Sequence, residues 1–436
     1  MSNQRRSRHE HMPRLDAEQT SSTAGTSLAA PPTRILLLSN GHGEDAMGAI
    51  LATALRDENL VVDAFPLVGT GRAYTQADIP VVGVQQVMPS GGFILEGGGG
   101  IRRDLRAGLL SLTWRQIKAL RKMSSAYDRA IGVGDVYPLA LNAFFLKRPF
   151  VFIPTAKSDY IRPHYGVEIA LMRRTCAAVF PRDAKTAAGL AQKGVPAQYL
   201  GNLMLDALRI TGVDYRAGAQ WVIGILPGSR APEAYRNTAQ LLRVVGWIHE
   251  LANSDMPCCL LALAGGLSPQ ILRESMSAGG AWQWLEATET PAAEGVVGIL
   301  LHRTAQARVL VVQSRFGNVL ANCDVVLGMS GTGNEQAAGM GIPVVTLPGA
   351  GPQFTKRFAL DQKRLLGDAL LVVENGEYAA ACAVWALLQN RERRAMMGAV
   401  GKERMGEPGA TRRMTAAIIA LMAGYDPAAA NLNGDA

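Results

Sequence analysis

Short, continuous apolar runs recur along this 436-residue chain, and most are followed by a glycine-containing turn and a helix-like stretch. Such a run is typical of a β-strand buried on both faces. In the first half the predicted strands cover 35–39, 61–67, 81–84, 127–133, 150–154, 177–180 and 197–200. Strands that alternate with helices at this spacing indicate βαβ units and a parallel sheet.

The same pattern begins again at 221–226. A helix at 238–252 and strands at 258–264, 309–312, 324–328 and 343–347 follow, whereas 278–297 fits no clear pattern. We therefore expect an α/β protein with two Rossmann-like domains, at 34–213 and 214–400, whose parallel sheets face a cleft. The polar stretch 208–218 is the candidate hinge, 1–33 a disordered tail, and 401–436 a C-terminal helix and tail. Ligands of open parallel sheets bind at the carboxyl ends of the strands.

Charge and cysteine content narrow the possible functions. Lysine and arginine exceed aspartate and glutamate by 44 − 36 = +8, which suits an anionic partner without choosing among nucleotide, phosphate, nucleic acid and acidic membrane. Five cysteines without a CxxC motif argue against a disulfide scaffold or a zinc ribbon. Because no run reaches the ~18 apolar residues of a spanning helix, we expect a cytoplasmic protein, attached to a membrane only at its surface if at all.

A glycine-rich turn follows the first predicted strand and precedes a helix. It is not GxGxxG, which disfavours a nicotinamide cofactor. His42 and Asp45 are candidate general bases, with Asp135 at the end of a later strand as a third. The acceptor-side candidates in this turn are Asn40, Gly41, Gly43 and Glu44. The alternative is a tight turn in which Glu44 or Asp45 only caps the helix.

Two turns of the second half combine small residues with groups that suit phosphate. Gly228, Ser229 and Arg230 follow one strand, and arginine forms fork-shaped hydrogen bonds to phosphate oxygens. The residues Ser330, Gly331, Thr332 and Gly333 follow another strand and open a helix, which makes a phosphate cradle without a P-loop lysine. The alternatives are an exposed surface turn and a packing turn.

Three further residues complete the predicted nucleotide-sugar site. Glu335 or Gln336, one helical turn in, could hydrogen-bond ribose hydroxyls, and Gln353 lies in a Gly/Pro loop that could line the same pocket. Elsewhere, 97–123 begins with four consecutive glycines and contains seven basic residues against one aspartate, with helical periodicity. This pattern suits an anionic membrane surface, and its alternative is the solvated face of a core helix.

These motifs resemble those of the lipid-A-disaccharide synthase-related family. The resemblance rests on Leu226 to Arg230 with Glu233, on Ser330 to Thr332, on Asp45, Gly48 and Ala49, on Gly201, Met204, Asp206 and Ala207, and on Gly351 to Phe354. It implies a GT-B glycosyltransferase, inverting and metal-independent, that needs no cofactor. The expected partners are a UDP-sugar donor, GlcNAc-type, and a glycolipid or lipid-linked acceptor at the inner membrane face, with no nucleic acid.

The resemblance also assigns roles to individual residues. It implies that Gly228, Ser229 and Arg230 hold the diphosphate and that the Ser330 turn does so from the opposing helix. The synthases carry Glu and Ser where this chain has Gly41 and Gly43, and their ribose-binding Glu aligns with Gln336. These departures indicate a related reaction rather than lipid A synthesis itself. A UDP-sugar epimerase of the same architecture and a non-catalytic nucleotide-sugar-binding protein remain as alternatives.

Overall fold

The computed structural model of the chain describes residues 32–85, 109–252, 255–287, 293–304, 307–351 and 354–424. The described residues from Thr33 onward belong to one compact unit. The predicted tail 1–33 lies almost wholly outside the described residues, as do 97–108 of the basic segment, the end of the C-terminal tail, and Gln353.

The first sheet has five parallel strands in the order β2-β1-β3-β4-β5. They are β1 (Arg34–Ser39), β2 (Val61–Pro66), β3 (Arg129–Gly134), β4 (Phe150–Pro154) and β5 (Cys176–Val179). Ile35 and Leu37 enter one apolar cluster while Leu36 and Leu38 enter another, so β1 is covered on both faces as its composition predicts.

Two predicted strands of this half are wrong. Segments 81–84 and 197–200 form only isolated bridges, from Val81 to Ala64 and from Ala197 to Val179. Each follows a proline, which has no N–H to donate to a ladder. In the first segment, Gly83 also turns the chain away with a φ of +83°.

The second sheet has eight strands in the order β13-β12-β11-β6-β7-β10-β9-β8. They are β6 (Val222–Leu226), β7 (Cys258–Leu263), β8 (Trp282–Leu285), β9 (Val296–His302), β10 (Arg308–Gln313), β11 (Val325–Gly328), β12 (Val344–Thr346) and β13 (Leu370–Val372). Strands β8 and β9 pair antiparallel at the edge. The unplaced stretch 278–297 therefore supplies the edge strand β8, which lacks the continuous apolar run of the buried parallel strands.

Helices connect the strands of both sheets. In chain order they are α1 (His42–Asp57), α2 (Arg72–Gln76), α3 (Leu109–Met123), α4 (Val136–Leu141), α5 (Gly166–Thr175), α6 (Ala184–Gln192), α7 (Leu203–Asp206), α8 (Glu233–Ala252), α9 (Pro269–Ala278), α10 (Phe316–Asn322), α11 (Thr332–Gly339), α12 (Lys356–Leu366), α13 (Glu377–Gln389), α14 (Arg391–Met405) and α15 (Ala410–Met422). Among the described residues, none of these helices is long and apolar enough to cross a bilayer.

The chain passes between the halves twice. The segment 208–218 leads from the first half into β6 and is tied to α10, since Asn318 accepts from the Thr211 N–H at 2.7 Å and Asn322 donates to the Val213 carbonyl at 2.9 Å. At the other end, α15 returns to pack against α1 and buries Ile418 in the same apolar cluster as Ile35. Both halves therefore contribute residues to one continuous core.

Candidate functional site

Two turns of the second half lie side by side because they follow neighbouring strands. β6 pairs with β11 in parallel, with Leu226 opposite Gly328. The Met329 N–H donates to the Leu226 carbonyl at 2.7 Å, which locks the two strand ends together. Gly228 has a φ of +100°, and a Cβ at this position would lie 3.3 Å from the Met329 carbonyl oxygen. The turn that carries Arg230 and the turn that opens α11 therefore belong to one site.

The carbonyl groups of the second turn accept hydrogen bonds from side chains of the protein. Gln362 donates to the carbonyls of Ser330 at 3.2 Å and Gly331 at 2.9 Å, and Thr346 donates to that of Gly328 at 2.6 Å. At the start of α11 no side chain of the described residues caps the helix. The first N–H groups of a helix carry partial positive charge and bind anions.

Small residues are required where the predicted phosphate groups would approach. A Cβ at Gly333 would lie 2.7 Å from Ser330 Oγ, so a larger residue would displace this hydroxyl from the start of α11. Ser229, Arg230 and Thr332 are exposed around the same opening. The structure thus brings together all seven residues of the two predicted phosphate-binding turns.

A buried carboxylate holds the loop that follows β12. Glu233 is only 4% exposed, and its Oε1 accepts from the Phe354 N–H at 3.0 Å. A Cβ at Gly351 would lie 2.2 Å from the same oxygen, so glycine lets the loop close over Glu233. The position of Glu233 in the motif thus has a structural reason, which the sequence alone did not provide.

In the first half, Asp45 faces the protein interior. Tyr74 donates to Ser39 Oγ at 2.8 Å, and Ser39 donates to Asp45 Oδ1 at 2.6 Å. Burial, together with the charge of neighbouring Glu44, raises the pKa of Asp45 to about 7 despite the hydrogen bond from Ser39. With 2% exposure, Asp45 is placed to fix the turn after β1 rather than to contact a substrate.

Asp135 and Glu44 are the half-buried carboxyl groups of this region. Asp135 caps α4 by accepting from the Tyr137 N–H at 2.8 Å and hydrogen-bonds the Asn40 side chain. Burial raises the pKa of Asp135, and the charge of Glu168 acts in the same direction. Burial also raises the pKa of Glu44, whose Oε1 accepts from Thr155 Oγ1 at 3.1 Å.

A charged cluster that sequence reasoning missed lies beside Asp135. Glu168 accepts from Lys157 Nζ at 2.6 Å and bonds His164 Nδ1 at 3.0 Å. Burial opposes ionisation of Glu168, but the bonds from His164 and Lys157 outweigh it and lower its pKa. Among the described residues, His164 Nε2 and Asn40 Oδ1 are buried without a hydrogen-bond partner. Such atoms are costly unless a water or a ligand satisfies them.

One ion pair joins the first half to the second at this site. Arg182, just after β5, donates to the Thr155 carbonyl at 2.9 Å and to Glu335 Oε2 at 2.7 Å. The side chains of Arg182 and Glu335 are only 10% and 14% exposed. Since Glu335 lies in the first turn of α11, the pair places the carboxylates of the first half opposite the phosphate-type turns of the second.

The remaining predicted residues have varied surroundings. His42 is exposed at the start of α1, and a Cβ at Gly69 would lie 3.0 Å from its ring. Gly41 leaves room for the Glu44 carboxylate, which a Cβ there would approach to 2.5 Å, whereas Gly43 is exposed with open space around it. Gln336 donates to the Met204 carbonyl at 2.7 Å and is 9% exposed, so its amide N–H is engaged within the protein.

Solved structures with the same architecture align along nearly the whole chain. A putative UDP-N-acetylglucosamine 2-epimerase from Listeria monocytogenes has a TM-score of 0.59 at 16% identity, covering 91% of this chain and 98% of its own. The UDP-GlcNAc 2-epimerase of Neisseria meningitidis, solved with UDP-GlcNAc, gives 0.56 at 15%, covering 89% and 100%. MurG of Acinetobacter baumannii gives 0.53 at 15%, covering 89% and 99%.

These similarities establish the fold. No protein-family model and no curated protein matches the sequence. The fold is of the GT-B type, α/β with two mostly parallel sheets, as the resemblance implied. Two of the named neighbours are described as UDP-GlcNAc 2-epimerases. The finer likeness to the lipid-A-disaccharide synthase-related family stays a prediction.

Proposed function

We propose that this chain is a UDP-sugar-dependent glycosyltransferase that transfers a GlcNAc-type sugar to a lipid-linked acceptor. One observation carries the proposal: two phosphate-type turns of the second half face a cluster of half-buried carboxyl groups in the first, joined by Arg182 and Glu335. The two turns suit the binding of a leaving nucleoside diphosphate, and the carboxyl groups suit the activation of a hydroxyl group. The identity of the sugar and of the acceptor rests on the motif resemblance.

The donor is held by the second half. The N–H groups at the start of α11 and the guanidinium of Arg230 neutralise the charge that develops on the diphosphate as it leaves. Gly228 and Gly333 allow the phosphates to approach the backbone. Glu335 is the residue that contacts the ribose hydroxyls, and its carboxylate also accepts from Arg182. Gln336 is not assigned this role because its side-chain amide donates to the Met204 carbonyl.

The acceptor is activated by the first half. Its hydroxyl oxygen attacks the anomeric carbon, the bond from that carbon to the diphosphate oxygen breaks with its electron pair, and the hydroxyl proton passes to a carboxylate. Asp135 is the best-placed base because it is half-buried, fixed by Tyr137 and Asn40, and has a raised pKa. A raised pKa strengthens a carboxylate as a base provided that it is ionised at the working pH. A single displacement inverts the anomeric configuration.

A second candidate is an epimerase that acts on the UDP-sugar alone. Its support is the carboxyl pair Glu44 and Asp135, both with raised pKa, together with the neighbours described as UDP-GlcNAc 2-epimerases. Two acid–base groups suit proton removal and return on a sugar ring, whereas an inverting transfer needs one base.

One experiment separates the candidates. The purified protein is incubated with UDP-GlcNAc in D2O, with and without a bacterial lipid extract, and the products are followed by NMR and mass spectrometry. Transfer predicts UDP release and a lipid heavier by one sugar only when the extract is present. Epimerisation predicts a deuterium-labelled isomer without the extract. If UDP stabilises the protein in a thermal-shift assay but neither reaction is seen, the protein binds nucleotide sugars without catalysing a reaction.

A further inference from the structure

The imidazole ring of His164 is bonded through only one of its two nitrogens. Its Nδ1 bonds Glu168 Oε2 at 3.0 Å, and the two side chains are each only 5% exposed. Its Nε2 is buried and has no hydrogen-bond partner in the part of the chain that the structure describes. Because an unpaired polar atom is costly to bury, this nitrogen is a place where a ligand group would gain a hydrogen bond.

The bonds to Glu168 determine which nitrogen of His164 carries the proton. Glu168 Oε1 accepts from Lys157 Nζ at 2.6 Å, and its Oε2 also accepts from the Tyr165 N–H at 3.2 Å. Burial opposes ionisation of Glu168, but the bonds from His164 and Lys157 outweigh it and lower its pKa. An ionised carboxylate only accepts hydrogen bonds, so Nδ1 carries the proton and the neutral ring presents a lone pair at Nε2.

His164 belongs to the same edge of the first sheet as the proposed base. The loop from β4 to α5 begins with Thr155, whose hydroxyl donates to Glu44 at 3.1 Å, and leads to His164. The charge of Glu168 acts on the carboxyl group of Asp135, so the bonded pair of His164 and Glu168 lies near that group. The lone pair of Nε2 therefore lies in the region where the acceptor hydroxyl would be activated.

We propose that His164 Nε2 accepts a hydrogen bond from a hydroxyl group of the acceptor, next to the hydroxyl that Asp135 activates. Glu168 and Lys157 are positioning residues, because they fix the ring and its tautomer and act on the acceptor only through His164. The inference rests on the proposed function, since it takes a transferase with a separate acceptor as its premise.

The charges around Nε2 favour a hydroxyl group over a phosphate as its partner. Lys157 is paired with Glu168, and Arg182 is paired with Glu335. Asn40 Oδ1 is a second buried acceptor that lacks a hydrogen-bond partner among the described residues. The site therefore offers lone pairs, which accept from neighbouring hydroxyl groups, whereas these two cations are already neutralised by carboxylates.

Two substitutions separate the roles of the two ring nitrogens. The amide of His164→Asn lies where Nδ1 lies, so this variant keeps a donor to Glu168 and loses the acceptor at Nε2. The amide of His164→Gln reaches the position of Nε2, so this variant keeps an acceptor there and gives up the bond to Glu168. His302→Asn, in the edge strand β9 of the second sheet, is the matched control.

Sugar transfer from UDP-GlcNAc to a bacterial lipid extract is measured for each full-length protein, and UDP affinity is measured by calorimetry. We expect His164→Asn to raise the apparent KM for the extract about ten-fold with kcat unchanged, because a hydrogen bond made in both the ground state and the transition state is lost. His164→Gln recovers most of this affinity, and UDP affinity is the same throughout. Wild-type kinetics in His164→Asn, or a KM in His164→Gln as high as in His164→Asn, would overturn the proposal.

A second measurement does not depend on sugar transfer. The imidazole nitrogens of the 15N-labelled protein are observed by NMR, and the signals of His164 are assigned by their loss in His164→Asn. We expect a proton on Nδ1 alone, and a change in the Nε2 shift when hexyl glucoside is added but not when hexanol is added. If the wild type transfers no sugar, the proposed function fails and this shift decides: its presence supports the hydroxyl-binding role of His164, and its absence overturns it.

Discussion

The two halves of the molecule form their parts of the site in different ways. In the second half the site is made of backbone: the carbonyls of the turn before α11 are bonded by Gln362 and Thr346, and Gly228 and Gly333 sit where a side chain would collide or strain. In the first half it is made of ionisable side chains: burial raises the pKa values of Glu44, Asp45 and Asp135, and Asn40 Oδ1 and His164 Nε2 are among the buried atoms without a hydrogen-bond partner in the described part of the chain. Under the proposed function, the second half would therefore bind the diphosphate and the first half would move the proton.

The largest effect is expected from the proposed base. Asp135→Asn keeps an oxygen to cap α4 but cannot take a proton. We expect turnover to fall by ~10²–10⁴-fold while UDP affinity, measured by calorimetry, is unchanged. Asp57→Asn, an exposed change at the end of α1, is the control. A weaker UDP affinity in the Asp135 variant would contradict the assignment of donor binding to the second half alone.

The pH dependence of stability tests the buried carboxyl group of the first half. The pKa of Asp45 is raised to about 7, above the ~3.9 of an unfolded chain. The folded state therefore binds the proton more tightly, so this contribution to stability is full below about pH 4 and is lost as the pH rises towards 7. Denaturant unfolding of wild type and Asp45→Asn should show a wild-type decline of a few kcal/mol across this window that the variant lacks. Parallel curves would contradict the assignment.

The complementary change in the second half is Arg230→Ala. Removing a charged donor to phosphate costs ~1.5–3 kcal/mol, so we expect UDP affinity to fall by about 10- to 100-fold. Arg236→Ala, one turn along on the exposed side of α8, serves as the control. An unchanged UDP affinity would remove Arg230 from the donor site.

The smallest effect concerns the contact that joins the halves. Glu335→Gln keeps an acceptor for Arg182 but removes the charge, and we expect a loss of ~1–2 kcal/mol in the free energy of unfolding. A double-mutant cycle with Arg182→Gln should give a coupling of similar size. Additive losses would show that the two side chains do not stabilise each other.

Much of the fold was predictable because its signals are local. The apolar runs of β1, β4 and β6, and the small residues after β6 and β11, are properties of a few consecutive residues, and parallel pairing then brings strand ends together. The edge strand β8 was missed because edge strands do not need continuous apolar runs. Strand β9 does contain such a run and was not predicted either.

The charge network of the site could not be predicted in the same way. Arg182 and Glu335 are 153 residues apart, and Thr155 meets Glu44 across 111 residues. Asp45 was a candidate base because of its place in the turn after β1. The sequence does not show that Asp45 accepts from Ser39, which itself accepts from the buried Tyr74 hydroxyl. Glu168 follows His164 by four residues, but only the tertiary position of Lys157 shows that the three form a cluster.

The return of α15 to the first half has a consequence for how the chain is made. Ile418, Leu421 and Met422 line a small space together with Ile35, Ile131 and Phe150. Strand β1 leaves the ribosome first, and the residues of α15 that cover it follow about 380 positions later. During synthesis the apolar residues on this face of the first sheet stay partly uncovered. A nascent chain that ends after the second sheet would expose them, and exposed apolar surface promotes aggregation.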